Sequence, residues 1–239
     1  MGRLSQAWKI LDLLEDYVSG GFARRHRELK EAGAADDVDA VSRAIAPGAD
    51  ALTDAGTGRT AEIAAVAAEA EACIRCALSM NRRRSVPGEG AMDPPVLLVG
   101  EGPGEEEDAT GRPFVGRSGQ YLDTWLKPIG LSRERCFIAN CVKCRPPQNR
   151  EPHPDELKAC LPFLERQIEA LRPKTILCLG RIAAQTLLVT DMSLAGLRSR
   201  VHRRKGITLI VTYHPSAVLR DPSLRRPVWE DLKLLKTLL

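Results

Sequence analysis

Val96-Leu97-Leu98-Val99-Gly100 runs straight into Glu101-Gly102-Pro103-Gly104, so a five-residue apolar segment stops abruptly at a loop of special residues. A short continuous apolar run bounded by glycine and proline reads as a strand buried on both faces. Three further runs repeat the pattern: Cys136 to Asn140 breaks into Cys141-Val142-Lys143-Cys144, Thr175 to Gly180 into Arg181, and Ile207 to Tyr213 into His214-Pro215-Ser216-Ala217-Val218-Leu219-Arg220. Helical spacing fills the intervals, over Gly119 to Ile129, Pro154 to Leu171 and Arg181 to Leu188. Strands alternating with helices predict parallel βαβ units with right-handed crossovers. The fold class is therefore α/β, a three-layer sandwich with a central four-stranded parallel sheet flanked by helices. Ligands of such sheets bind beyond the carboxyl ends of the strands, so the four breaks are expected to form one site.

At 239 residues the chain has room for one such domain and an appendage. Its formal net charge of +4 does not by itself announce a polyanion partner, but the charge is uneven. Arg198, Arg200, Arg203, Arg204 and Lys205 precede the last apolar run, and Arg220, Arg225 and Arg226 follow it. Such clusters read either as a solvated face or as a phosphate-binding footprint. There is no apolar stretch of about 18 residues, and Asp12, Glu15 and Asp16 disagree with a signal peptide. The expectation is a cytoplasmic prokaryotic protein with no membrane association.

Residues 1–70 are expected to be a helical extension and linker, and 71–239 the main domain. Leu4, Trp8, Leu11, Leu14 and Val18 form an apolar stripe ended by Gly20-Gly21, an amphipathic helix expected to dock on the main domain, on a second copy or on a protein partner. Glu28 to Thr60 is rich in Ala, Asp and Gly and reads as mobile around Gly48 to Arg59, before an Ala/Glu helix over Ala61 to Ala72.

The first loop is neither of the two glycine-rich phosphate-binding patterns. Glu105, Glu106, Glu107 and Asp108 follow it, where carboxylates would repel a phosphate; carboxylate chemistry is the better expectation. Phe114 sits in Gly111-Arg112-Pro113-Phe114-Val115-Gly116, in a chain with ten aromatic residues, either as a stacking platform or as a core plug.

Seven cysteines, an odd number, argue against a disulfide framework in a reducing compartment. Cys73 and Cys76 with Cys141 and Cys144 make two C-x-x-C pairs suited to zinc. Exchanging Cys141 for Cys160 gives a quartet equally suited to an iron-sulfur cluster. Cys136 and Cys178 lie within strand runs and read as small buried hydrophobes.

Four segments, Gly100 to Asp108, Gly111 to Gly119, Asn140 to Pro147 and Tyr213 to Ala217, together resemble the signature motifs of the iron-sulfur-containing family 4 uracil-DNA glycosylases, in the same order. The resemblance spans about residues 71 to 239. It implies a 4Fe-4S cluster on Cys73, Cys76, Cys144 and Cys160, with Cys141 spare. A related group that crosslinks to abasic DNA has a basic insertion with a reactive His after the second motif; that insertion is absent here, and His153 reads as structural or surface.

The activity implied is monofunctional: uracil is flipped out of single- or double-stranded DNA and its N-glycosidic bond hydrolysed, leaving an abasic site. The resemblance makes Glu101 and His214 the catalytic pair, Glu101 orienting water or stabilising the oxocarbenium and His214 donating to uracil O2. Gly102 would add a backbone donor, Phe114 would stack on the base, and Asn140 would read its edge. Glu107 and Asn149 are supporting or structural. Leu219 would fill the vacated stack, unless it is a core residue, and Arg220 would hold phosphate. A monomer is expected. The competing readings are a glycosylase for hypoxanthine or xanthine, and a non-catalytic iron-sulfur or zinc DNA-binding module.

Overall fold

A computed structural model describes residues 49–239, with side chains from residue 56 onward; the amphipathic stripe at residues 4–18 lies outside the described residues. Helix α1 spans Ala49–Ala72. The stretch expected to be mobile around Gly48 to Arg59 is therefore helical from Ala49. Ile63, Val66 and Ala70 bury one face of α1 against the core.

Strand β1 (Glu89–Gly90) precedes β2 (Val96–Gly100), α2 (Glu105–Thr110), α3 (Arg117–Leu126) and β3 (Phe137–Asn140). Then follow α4 (Pro154–Leu171), β4 (Thr175–Leu179), α5 (Arg181–Leu188), α6 (Leu194–Leu197), β5 (His202–Arg204), β6 (Ile207–Thr212), α7 (Pro215–Arg220) and α8 (Arg225–Lys236). The sheet order is β1-β3-β2-β4-β6-β5. The central four strands are parallel, as the apolar runs require, and β1 and β5 add antiparallel edges. Both edge strands escape sequence reading because they are two and three residues long and carry no apolar alternation.

Successive residues of a strand point to opposite faces, and each central strand feeds two cores. Leu97, Val99, Ala139, Ile176, Cys178, Leu209 and Val211 face α1, α4 and α5 through Ile63, Leu164, Ile168, Leu171 and Leu187. Val96, Leu98, Ile138, Leu177, Leu179 and Ile210 face α3, α7 and α8 through Leu122, Leu126, Val218, Val228 and Leu232. Fully burying each such side chain stabilises by roughly 1.5–3 kcal/mol, which is why a strand with no polar face is favoured here. Helices on both faces make the three layers. Burial pushes the Cys136 and Cys141 thiols up to about 12 and raises that of Cys178 too, consistent with inert core residues.

Beyond the carboxyl ends the chain stays paired: Cys141 N–H donates to Gly100 O at 3.0 Å and Val142 N–H to Glu101 O at 3.1 Å. At the neighbouring end, buried Asp231 accepts from Thr212 Oγ1 and Arg198 Nε, both at 2.7 Å, and anchors the end of β6 to α8. Part of the basic cluster before β6 serves the fold, while Arg200 and Arg203 are exposed. Arg204 and Lys205 pair with Glu165 at the opposite end of the sheet from the four breaks.

Candidate active site and cysteine cavity

Three of the four breaks, after Gly100, at Asn140 and at His214, converge on one cavity of about 390 Å³, whereas Gly180 and Arg181 do not line it. Of the residues singled out from sequence, Glu101, Gly102, Glu107, Phe114, Asn140, Asn149, His214 and Arg220 line it. Leu219 is half-buried on α7 and belongs to none of the core clusters.

Asn140 ends β3, opposite Gly100 in the parallel register. Its side chain is 1% exposed. Its Oδ1 is the one buried side-chain polar atom among the described residues that lacks a hydrogen-bond partner. An orphaned buried acceptor costs about 1–3 kcal/mol, and its place at a cavity wall marks it as reserved for a ligand donor. Gly100 makes room for it: a Cβ there would lie 2.6 Å from Phe114 Cζ and closer still to Asn140 Oδ1.

Phe114 is held on its loop in the left-handed region, at φ 51°, a conformation that costs a non-glycine residue energy and persists only where its surroundings impose it. Arg133, paired with Asp123 at 2.7 Å, donates to the carbonyls of Pro113 and Phe114 and clamps the turn. Gly119 lies against the Phe114 carbonyl, where a Cβ could not fit. The ring is 5% exposed. Phe114 is thus both a core residue and a cavity wall.

The carboxylates after the first loop chiefly build structure. Glu107 is 7% exposed; its Oε2 accepts from Gly104 N–H at 3.0 Å, and its Oε1 from Val115 and Gly116 N–H at 2.8 and 2.9 Å. One side chain thereby stitches the glycine-proline loop to the Phe114 loop. Asp108 accepts from Arg83 N–H at 3.0 Å. Asn149 accepts from Arg145 Nε at 2.8 Å.

Glu101 remains. Burial first, and the neighbouring Glu151 carboxylate second, push its pKa up to about 7, with Arg181 opposing. Glu151 is itself paired to Arg181 at 2.5 Å. Arg150, Glu151, Ser118 and Ser216 also line the cavity, and sequence reading missed all four. They lie on irregular connections and helix starts, where no periodicity marks a facing side; the one signal present is that Ser118 and Ser216 stand inside the quoted motif segments.

His214 caps α7. Its Nδ1 accepts from Ser216 N–H at 3.2 Å and stands 2.7 Å from Ser216 Oγ. An accepting Nδ1 leaves the ring proton on Nε2, so the imidazole is a neutral donor. Burial, and then the Arg220 cation, lower its pKa to about 4, which keeps it neutral at ordinary pH.

Cys73, Cys76, Cys144 and Cys160 line a second, small cavity with Arg75, Lys143 and Phe163. Arg82 Nη1 donates to Cys144 Sγ at 3.0 Å, Lys143 N–H to Cys160 Sγ at 3.2 Å and Arg75 N–H to Cys73 Sγ at 3.5 Å. Donors aimed at sulfur suit thiolates bound to metal. Among the described residues no three His, Cys, Asp or Glu side chains converge on a single-ion point. Four cysteine sulfurs around one cavity could hold a metal group. Cys141 lies instead in the core between β3 and α5, outside this cavity.

Comparison with known proteins agrees with this geometry. The profile of the uracil DNA glycosylase superfamily matches residues 87–233. A type-4 uracil-DNA glycosylase of Pyrobaculum aerophilum is 45% identical over 174 residues, 68% of this chain and 87% of that protein. One of Thermotoga maritima is 46% identical over 169 residues, 69% of this chain and 88% of that protein. A type-5 uracil-DNA glycosylase of Pyrobaculum aerophilum is more distant, 33% identical over 150 residues, 56% of this chain and 66% of that protein.

Proposed function

We propose, given that the chain belongs to the type-4 branch of the uracil-DNA glycosylase superfamily, that it flips uracil out of DNA and hydrolyses the N-glycosidic bond, leaving an abasic site for base excision repair. The observation that carries this reading is the orphaned Asn140 Oδ1, buried at the wall of a cavity that Phe114 and His214 also line.

Extruding a base costs a few kcal/mol, which pocket contacts must offset. Stacking on Phe114 contributes roughly 1–3 kcal/mol of that. Asn140 accepts from uracil N3–H with Oδ1 and donates to O4 with its amide nitrogen. Cytosine would present an acceptor and an amine at those points, leaving buried polar groups unpaired, a stronger rejection than any loss of contact area.

Bond cleavage develops negative charge on the departing base and positive charge on the sugar. The Nε2–H of His214 and the Gly102 amide donate to uracil O2. Glu101, in its ionised form, orients the attacking water and faces the oxocarbenium. Arg220 contacts phosphate, and half-buried Leu219 on the same short helix fills the vacated stack.

Cys73, Cys76, Cys144 and Cys160 would hold a 4Fe-4S cluster, which would supply a structural tie between the segment before β1, the loop after β3 and α4. The glycosylase domain comprises residues 71–239, within the compact unit that begins at Thr53, and the extension over residues 1–70 serves a protein partner. The enzyme acts as a cytoplasmic monomer; no helix among the described residues is long and apolar enough to cross a membrane.

Oligonucleotides bearing one uracil, hypoxanthine or xanthine, single- or double-stranded, test the reading. Release of uracil as the main product is expected. Preferential release of another base, or no release by folded protein, contradicts it.

A further inference from the structure

Lys143 is 1% exposed, and among the described residues it forms no ion pair with a carboxylate. Its Nζ donates to the backbone carbonyl of Asn140 at 2.9 Å and to Gln167 Oε1 at 2.7 Å. Gln167, fully buried on α4, donates in turn from Nε2 to Pro87 O at 2.8 Å. The backbone of the same lysine ties into the cysteine cavity, its N–H on Cys160 Sγ and its carbonyl accepting from Val86 N–H at 2.7 Å.

Burying an ammonium group is costly unless it is fully hydrogen-bonded and near opposite charge, so a buried lysine in the loop after β3 needs a reason. Leucine or methionine would fill the same volume at less cost. What lysine adds is a fixed donor on the carbonyl of Asn140, the residue whose side chain carries the orphaned acceptor. Holding that carbonyl fixes the Asn140 peptide plane and the direction in which its side chain leaves the strand.

We infer that Lys143 is a positioning residue for base recognition: with Gln167 it locks the Asn140 peptide from the side of the cysteine cavity, and so sets the geometry with which Asn140 meets the base. This rests on the proposed function of the pocket. The lock acts on base contacts realised as the bond breaks, so its loss falls on kcat and on affinity for free uracil, and not on affinity for DNA lacking uracil.

Lys143→Met keeps the side-chain volume and removes the donor; Gln167→Leu removes one anchor and keeps the lysine. In protein retaining its visible iron-sulfur absorption per mole, Lys143→Met is expected to lower kcat at least 30-fold and to weaken product inhibition by uracil at least 10-fold. Binding to uracil-free duplex should stay within 2-fold. Gln167→Leu should show the same split at about 3- to 10-fold. A purely structural role would lower thermal stability and DNA binding along with kcat, and that pattern overturns the inference. Unchanged kcat and uracil inhibition in folded Lys143→Met overturn it as well, and if that variant does not fold, Gln167→Leu alone decides. Asn140→Ala run in parallel separates the two levels: if it too excises uracil normally, the reading of the pocket fails and not merely the role of Lys143.

Discussion

Phe114 and His214 are neighbours in the cavity wall, with ring centroids 5.6 Å apart and planes inclined by 36°. Neither ring belongs to a long element: one sits on a clamped turn with positive φ, the other caps a six-residue helix. A planar ligand resting on Phe114 therefore brings its edge to the imidazole. Stacking and proton donation are set by one geometry.

Removing the platform should cost about what base stacking contributes, roughly 1–3 kcal/mol, or about 5- to 150-fold in kcat/KM. Phe114→Ala is expected to fall in that range on uracil-containing single strands, and Phe114→Tyr to stay within a few-fold. Steady-state assays of the two variants check this.

The acid limb of the pH profile should belong to Glu101. Its pKa is raised from 4.5 to about 7, so the carboxylate needed to orient water is protonated below neutrality. The kcat/KM of wild type should fall about tenfold per pH unit below 7 and level off above it. Glu101→Gln should be slow and flat across the same range. His214, neutral down to about pH 4, adds no limb between pH 5 and 8. The stability effect has the opposite sense. A carboxyl whose folded pKa exceeds its unfolded value binds the proton more tightly when folded, so Glu101 lets stability rise as pH falls from about 7 to 4.5. Glu101→Gln should remove that contribution.

Glu107 predicts a stability effect with a catalytic consequence. It accepts three backbone N–H groups from two loops. Glu107→Ala leaves those donors unpaired and should destabilise by about 2–4 kcal/mol, visible in denaturant unfolding. Because the same bonds hold the Phe114 turn, kcat/KM should fall at least tenfold even where the variant is fully folded.

Cysteine substitutions separate the two candidate quartets. Cys144→Ser and Cys160→Ser should lose visible iron-sulfur absorption and thermal stability, whereas Cys141→Ser should keep the chromophore. Loss of absorption in Cys141→Ser would favour the paired C-x-x-C arrangement instead.

The central sheet was legible because its strands are buried on both faces, and a run such as Val96 to Val99 tolerates no polar residue. The edges, β1 and β5, were not: an edge strand of two or three residues needs only backbone pairing and leaves no side-chain pattern. The cavity was legible where strands stop, at Glu101, Asn140 and His214. It was illegible where long-range pairing decides a role. Glu107 stood out in the sequence only as a supporting or structural candidate, because its three amide partners, up to nine residues away, are set by the fold. Lys143 carried no role in the sequence beyond its place inside a cysteine motif, because its partner Gln167 comes 24 residues on.

Uracil release from a single-uracil oligonucleotide by the iron-sulfur-loaded protein, compared with Asn140→Ala and Glu101→Ala, bears most directly on the account. Efficient release by wild type that drops at least a hundredfold in both variants is the predicted result. Release unaffected by loss of the Asn140 amide, or none from folded wild type carrying its cluster, would contradict it.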